Sequence, residues 1–131
     1  DELGAEAQVY LPNRFTDGYG PNLDVYQYYI KNENINLIIT VDNGVAGLEA
    51  ITWAQENGVD VIVTDHHSIP DQLPPAYAIV HPEHPDSQYP FKYLAGVGVA
   101  FKVACALLEY APSEMLDLVA IGTIADMVSL A

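Results

Sequence analysis

Short apolar runs alternate with amphipathic segments along this chain, and the alternation predicts an α/β fold. Four runs rich in Val, Ile and Leu have the length and composition of β-strands, at residues 7–11, 36–41, 59–64 and 76–80. The second and third runs are apolar at almost every position, which is typical of strands buried on both faces of a parallel sheet.

The segments between the first three strands have helical periodicity. Pro21 and Asn22 open one helix, whose apolar face is formed by Leu23, Tyr26 and Ile30. The next helix has its apolar face at Val45, Leu48 and Thr52, and Asn57-Gly58 supplies a left-handed stop. Because crossovers between parallel strands are right-handed, we expect a doubly wound, mostly parallel sheet with flanking helices.

The second half of the chain is less regular. The third and fourth strands are joined by about a dozen residues that include three prolines, too few for a crossover helix, so the position of the fourth strand stays open. Residues 95–110 are apolar nearly all round and predict a buried helix. After Pro112-Ser113, a last helix is predicted with apolar periodicity from Leu116 to Met127, ending near Asp126.

Composition narrows the class of protein. The chain has 131 residues, half of them apolar, which suits one domain spanning residues 1–131, and no apolar run is long enough for a membrane span. Lone Cys105 has no partner for an intrachain disulfide, so a reducing cytoplasm is the expected location. The net charge of −14 opposes binding to a phosphate backbone, unless carboxylates hold divalent cations that supply positive charge.

Polar residues follow three of the predicted strands directly. Asp42 follows the second strand, Asp65-His66-His67 the third, and His81 the fourth. Because the carboxyl ends of parallel strands share one edge of a sheet, we expect these side chains to meet there. Taken singly, Asp42 also suits a turn before a helix, and His81 before Pro82 suits an ordinary loop.

The donor types favour particular metals. Imidazoles among several carboxylates, without a thiolate cage, favour Mn²⁺ or Mg²⁺ over structural zinc. Asp42 is the candidate bridge between two ions, and Asp126 is the candidate ligand from the last helix. Along an extended segment neighbouring side chains point in opposite directions, so we expect only one of His66 and His67 to face the metal.

Four blocks in the same order and spacing carry a family resemblance: ITVDNG, VIVTDHH, LAGVGVAFK and LDLVAIGTIADMVSL. They resemble the DHH phosphoesterase superfamily, and YLPNRFTDGYGPN resembles its RecJ-type single-stranded-DNA exonuclease branch. The resemblance implies a manganese- or magnesium-dependent 5′→3′ exonuclease of DNA repair and recombination, with single-stranded DNA as the partner and no membrane.

The resemblance also implies roles for individual residues. Asp42 would touch both metals, and His66 and Asp126 would each ligate a metal. His67 would lie near the scissile phosphate, as a phosphate contact or as proton donor to the leaving oxygen, while Asp65 would orient the histidines.

The resemblance assigns no metal ligand to two further positions. Arg14, in the NRFTDGYG block, would support the structure or contact the substrate strand. His81 stands where many relatives are expected to have Asn.

The chain departs from the family pattern in one motif. The resemblance leads us to expect an Asp-x-Asp-Gly element with further metal ligands, and this sequence contains none. We therefore interpret residues 1–131 as a DHH core, incomplete at the N-terminus, without the first metal motif or the C-terminal substrate-binding domains. Two alternatives stay open: a DHH phosphoesterase acting on short oligonucleotides, cyclic dinucleotides or pyrophosphate, and a non-catalytic scaffold.

Overall fold

A three-stranded parallel sheet with four α-helices forms the structure, a computed structural model that describes residues 2–130. The strands lie in the order β1, β2, β3 and comprise Leu37–Val41, Asp60–Thr64 and Ala78–Val80. The α-helices α1 to α4 comprise Leu23–Asn32, Leu48–Glu56, Gly96–Leu108 and Leu116–Ala125, and a short 3₁₀ helix spans Ser113–Met115. The predicted α/β class is confirmed.

The main core lies between the sheet and the first two helices. The Asn22 side chain caps α1 by accepting a hydrogen bond from the Val25 N–H at 3.1 Å, and Asn57-Gly58 ends α2 with Gly58 at a φ of +77°. Both predicted boundaries are therefore confirmed. The buried residues of this core are Tyr26, Val45, Ala50, Ile51, Ala54, Val59, Val61 and Val63.

Helix α3 packs against β1 and β2 on the other side of the sheet. Its buried Val99 and the preceding Ala95 lie outside the first core, as expected for a helix on the opposite face. The prediction of burial nearly all round is wrong for α3, because only Gly96, Gly98 and Val99 are buried. Helix α4 packs on α3 and contains no buried residue.

The fourth predicted strand forms β3, and its position is now settled. It pairs in parallel with β2, with Thr64 opposite Val80, although it is shorter than the predicted 76–80. Residues 65–77 connect β2 to β3 without a helix, as the prolines indicated. This irregular connection begins with Asp65-His66-His67.

Two predictions about strands are wrong. Residues 7–11 form no strand, and their apolar residues Val9 and Leu11 are exposed beside β1, where they line one wall of a cavity of about 390 Å³. Strand β1, the edge of the described sheet, is not buried on both faces: Leu37, Ile39 and Val41 share one face and are each about half exposed (46%, 51% and 51%), whereas Thr40 on the other face is buried. Apolar composition indicated a strand but not its place in the sheet.

Within residues 2–130, none of the helices is both long and apolar enough to cross a lipid bilayer.

Candidate metal centre

The sheet ladder continues one residue beyond each strand and brings the polar segments to one edge. The Asp42 N–H donates to the Thr64 carbonyl at 3.0 Å, and the Asp65 N–H donates to the Val80 carbonyl at 3.2 Å. Gly44 follows with a φ of +123°, and its α-carbon lies so close to Thr40 that a β-carbon would overlap that side chain. The turn after β1 therefore requires glycine, and it leaves Asp42 at the sheet edge.

Asp65 organises the segment after β2 by accepting hydrogen bonds from backbone N–H groups. Its side chain is 1% exposed. One oxygen accepts hydrogen bonds from the N–H groups of His66 (2.7 Å) and His67 (3.2 Å), and the other accepts from the Val45 N–H at 3.0 Å. Burial acts to raise the pKa of Asp65, but these hydrogen bonds and that from the His67 ring outweigh it and lower the pKa. Asp65 is therefore a carboxylate.

His66 presents a buried nitrogen to two carboxylates. Its Nε2 lies 3.0 Å from an oxygen of Asp42 and 3.4 Å from an oxygen of Asp126, and the side chain is only 12% exposed. That nitrogen nevertheless makes no hydrogen bond within residues 2–130. Since buried polar atoms are rarely left unpaired, an imidazole nitrogen beside two carboxylates with no hydrogen bond suits a cation ligand.

Asp126 reaches this cluster from the last helix. It is the C-cap of α4, where its N–H donates to the Gly122 carbonyl at 3.0 Å. Met127 then takes a φ of +58° and turns the chain away. The structure thus brings together Asp42, His66 and Asp126, the three residues expected to ligate metal.

His67 lies on the same side as His66, which contradicts the expectation from side-chain alternation. The two rings are 4.6 Å apart between centroids, and nitrogens of both lie within 4.8 Å of an Asp42 oxygen and of each other. Alternation fails because the backbone is no longer a strand after Thr64. The assignment of only His66 as a ligand remains a prediction.

The His67 ring is held through Nδ1, and in the described part of the chain its Nε2 makes no hydrogen bond. Its Nδ1 donates to Asp65 at 2.7 Å, and the side chain is 59% exposed. That hydrogen bond raises the pKa of His67, burial opposes the shift, and the charges of Asp65, Asp42 and Asp126 add to it. Nε2 is therefore the nitrogen left to act on a ligand or substrate. Asp65 contacts the His67 ring, as expected, but only the backbone of His66.

Sequence reasoning missed Gly96, the first residue of α3. Its α-carbon lies against the Asp42 carboxylate, and a β-carbon there would overlap the carboxylate oxygen. The LAGVGVAFK block contained this glycine, but nothing in its local pattern indicated contact with a residue 54 positions earlier.

Arg14 is not brought into the cluster. Its guanidinium lies 4.7 Å from the centre of the Tyr19 ring, and within residues 2–130 no ion pair joins it to the acidic residues. Asp17 organises its loop by accepting hydrogen bonds from the Tyr10 hydroxyl at 2.5 Å and the Asn13 N–H at 2.7 Å. The hydrogen bond from Tyr10, followed by those from Thr16 and Asn13, lowers the pKa of Asp17.

The donor set fits a divalent cation of the Mn²⁺ or Mg²⁺ type. It combines two carboxylates with an unpaired imidazole nitrogen, and the described residues place no thiolate near it. Asp42 is half exposed, so one of its oxygens can serve a second ion.

The fold and this site define a DHH domain. The sequence profile of the DHH family, N-terminal domain, matches residues 1–123, and the chain belongs to this family.

Its curated relatives include the single-stranded-DNA-specific exonuclease RecJ. The chain is 54% identical to RecJ of Bacillus subtilis over 129 residues, and 42% identical to RecJ of Escherichia coli over 144 residues, in each case over 98% of this chain. A crystal structure of exonuclease RecJ bound to manganese superposes with a TM-score of 0.80 and 38% identity over 97% of this chain. RecJ of Thermus thermophilus in complex with Mn²⁺ superposes over 82% of the chain, with a TM-score of 0.68 and 36% identity.

The chain spans only part of these relatives. It covers 16% of the B. subtilis protein, 25% of the E. coli protein and 33% of the manganese-bound chain. The resemblance to the DHH superfamily and its RecJ branch is confirmed, whereas the activity of a whole protein belongs to the proposal below.

Proposed function

We propose that this chain is the core of a divalent-metal-dependent 5′→3′ exonuclease that hydrolyses phosphodiester bonds in single-stranded DNA during repair and recombination. The observation that carries the proposal is the buried, unbonded Nε2 of His66 between the carboxylates of Asp42 and Asp126. The names of the RecJ relatives, and the manganese in their structures, support the metal and the substrate.

Asp42, His66 and Asp126 would hold Mn²⁺ or Mg²⁺. Two such ions, when bound, activate water and stabilise the attacking and leaving oxygens of an in-line displacement. Asp42 would be shared by the two ions, which is supported by the position of one oxygen beside His66 and by the exposure of half of the side chain. Further ligands would come from an Asp-x-Asp-Gly element outside residues 1–131.

His67 would act on the phosphate through Nε2. Asp65 accepts a hydrogen bond from Nδ1–H, which fixes the ring, and this hydrogen bond raises the pKa of His67 so that a proton on Nε2 is favoured. A protonated Nε2 donates a hydrogen bond to a phosphate oxygen or gives its proton to the leaving oxygen. Asp65 itself stays ionised and orients His67 rather than meeting the substrate.

This chain by itself offers little attraction for DNA. It has four Lys and Arg residues against 18 Asp and Glu residues. Arg14, exposed on its ordered loop, is the proposed contact to the DNA strand, and the remaining positive surface would come from other domains. A single cysteine and a DNA substrate suit the cytoplasm, which is the proposed location.

The test is nucleotide release by the complete gene product with Mn²⁺. Single-stranded DNA labelled at its 5′ phosphate should lose nucleotides one at a time from that end, and duplex DNA should be spared. Asp42→Asn should abolish release. Asp60→Asn, at the opposite end of β2 from the site, should not.

Two outcomes would overturn the proposal. Hydrolysis of pyrophosphate, cyclic dinucleotides or very short oligonucleotides without attack on longer DNA would place the chain elsewhere in the DHH superfamily. Absence of both Mn²⁺ binding and hydrolysis would indicate a scaffold.

A further inference from the structure

His81, the residue after β3, is buried with both ring nitrogens engaged. Its Nε2 lies 2.8 Å from the carbonyl oxygen of His67, and its Nδ1 lies 3.0 Å from the backbone nitrogen of Glu83. The side chain is part of the protein interior, since the residue is 5% exposed. It thus links the end of β3 to the segment that follows β2.

The partners fix the state of this ring. A carbonyl oxygen only accepts hydrogen bonds, so Nε2 of His81 carries a hydrogen and donates it to His67. The N–H of Glu83 only donates, so Nδ1 carries no hydrogen. His81 is therefore a neutral imidazole with one defined orientation.

Hydrogen bonds to Asp65 and His81 engage every polar atom of His67 except Nε2. Its N–H and Nδ1 both donate to Asp65, and its carbonyl accepts from His81. Nε2 has no hydrogen bond among the described residues. Since residues 65–77 contain neither helix nor strand, these hydrogen bonds rather than a regular backbone determine where Nε2 lies.

We propose that His81 is a positioning residue for His67: its Nε2–H fixes the His67 carbonyl, and so the place at which the His67 Nε2 meets the phosphate. The inference deepens the proposed function and rests on the role of His67 in it. His81 is 5% exposed and both of its ring nitrogens bond within the protein, so neither nitrogen is left for a substrate.

His84 provides a matched comparison within the same loop. Its Nδ1 accepts a hydrogen bond from the Asp86 N–H at 3.2 Å, the same local turn that His81 makes with Glu83. In residues 2–130 no hydrogen bond joins His84 to His67. Substitutions at His84 therefore remove the turn contact without affecting the DHH segment.

The kinetic test uses the complete gene product with Mn²⁺ and single-stranded DNA. His81→Leu should lower kcat by roughly 10- to 100-fold, with KM for DNA and Mn²⁺ affinity near wild type. His81→Asn, which retains a donor and an acceptor, should recover most of the turnover, and His84→Leu should match wild type. In a His67→Ala background, His81→Leu should cost nothing further, because its effect acts through His67.

Hydrogen exchange provides a readout that does not need activity. In metal-free protein, His81→Leu should increase exchange at residues 65–69, whereas His81→Asn and His84→Leu should not. If wild type releases no nucleotides, the proposed function fails, and this exchange still decides whether His81 positions His67.

The inference is overturned by unchanged exchange in folded His81→Leu. It is also overturned if His81→Leu has the wild-type kcat. An equal loss of kcat from His81→Leu in the wild-type and His67→Ala backgrounds would overturn it as well.

Discussion

The carboxylate of Asp42 lies directly against the α-carbon of Gly96, with no space for a side chain on that glycine. The contact joins the end of β1 to the first turn of α3. Asp42 also has a φ of +62°, so its own backbone and the neighbouring helix together set the direction of its carboxylate. A glycine in one motif thus positions a proposed metal ligand in another.

Gly96→Ala should displace Asp42 and weaken Mn²⁺ binding by roughly 10-fold or more, because substitutions of residues that position metal ligands typically have effects of this size. Titration calorimetry with Mn²⁺ measures this. Gly98→Ala is the control, because the atoms nearest to a methyl group there belong to the Leu94 side chain, at 3.1 Å and beyond, and not to Asp42. Wild-type Mn²⁺ affinity in folded Gly96→Ala would refute the proposed dependence.

The two histidines should respond differently to substitution. His66→Ala should lower Mn²⁺ affinity, and excess Mn²⁺ should restore part of the activity, because mass action refills a weakened site. His67→Ala should keep Mn²⁺ affinity and lower turnover by about 10² to 10⁴ if His67 is a general acid. Affinity titrations and single-turnover rates on both variants measure these effects. Equal affinity losses, both rescued by Mn²⁺, would make both histidines ligands.

Asp65→Asn should destabilise the metal-free protein by about 2–3 kcal/mol. The donors from Val45, His66 and His67 use both oxygens of Asp65, whereas an asparagine has only one acceptor oxygen. Hydrogen bonds to a charged group are also stronger than those to a neutral group. The thermal midpoint in EDTA measures the loss, with Asp60→Asn as control. A midpoint equal to that of the control would contradict the importance of these bonds.

The stability lost in Asp65→Asn should also depend on pH. The lowered pKa of Asp65 means that its contribution to stability is present above the ordinary aspartate value of about 3.9 and disappears as pH falls through the folded pKa. The raised pKa of His67 means that its contribution is present below about 6.5 and disappears as pH rises through the folded pKa. Melting curves should show a larger effect of Asp65→Asn at about pH 5.5 than at about pH 8.5.

Arg14→Ala should raise KM for single-stranded DNA and leave Mn²⁺ affinity unchanged, since Arg14 lies on the Tyr19 ring and outside the metal cluster. Removing one phosphate contact should also reduce the salt dependence of DNA binding by about one unit of slope. Lys31→Ala removes another cation, which lies over Trp53, and is the charge control. Identical effects of the two variants would mean that only net charge matters.

The fold was predictable where local chemistry decides it. Asn22 caps α1 and Gly58 ends α2, because those residue types suit their backbone positions. The sequence could not show that residues 7–11 form no strand. An apolar run of strand length does not reveal whether a neighbouring strand is present to pair with it. The prediction that β1 is buried on both faces was wrong for a related reason, since whether a face is covered depends on how the helices pack on the sheet.

In the candidate site, too, some features could be predicted from the sequence and others could not. The meeting of Asp42 with His66 follows from parallel strands that end at one edge, and this could be predicted from the sequence. The contact of Gly96 with Asp42 and the bond of His81 to the His67 carbonyl could not, because each joins segments that are distant in sequence through backbone atoms. The shared orientation of His66 and His67 also required the structure, because the chain leaves the strand conformation at that point.

The proposed function depends on Nε2 of His66 being a metal ligand between Asp42 and Asp126. Pulsed electron paramagnetic resonance of bound Mn²⁺ detects a directly coordinated imidazole nitrogen, and ¹⁵N labelling of histidine confirms its source. The wild type and His84→Leu should show this coupling, and His66→Ala should lose it at Mn²⁺ concentrations that still fill the site. An unchanged imidazole coupling in His66→Ala, or none in the wild type, would contradict this assignment.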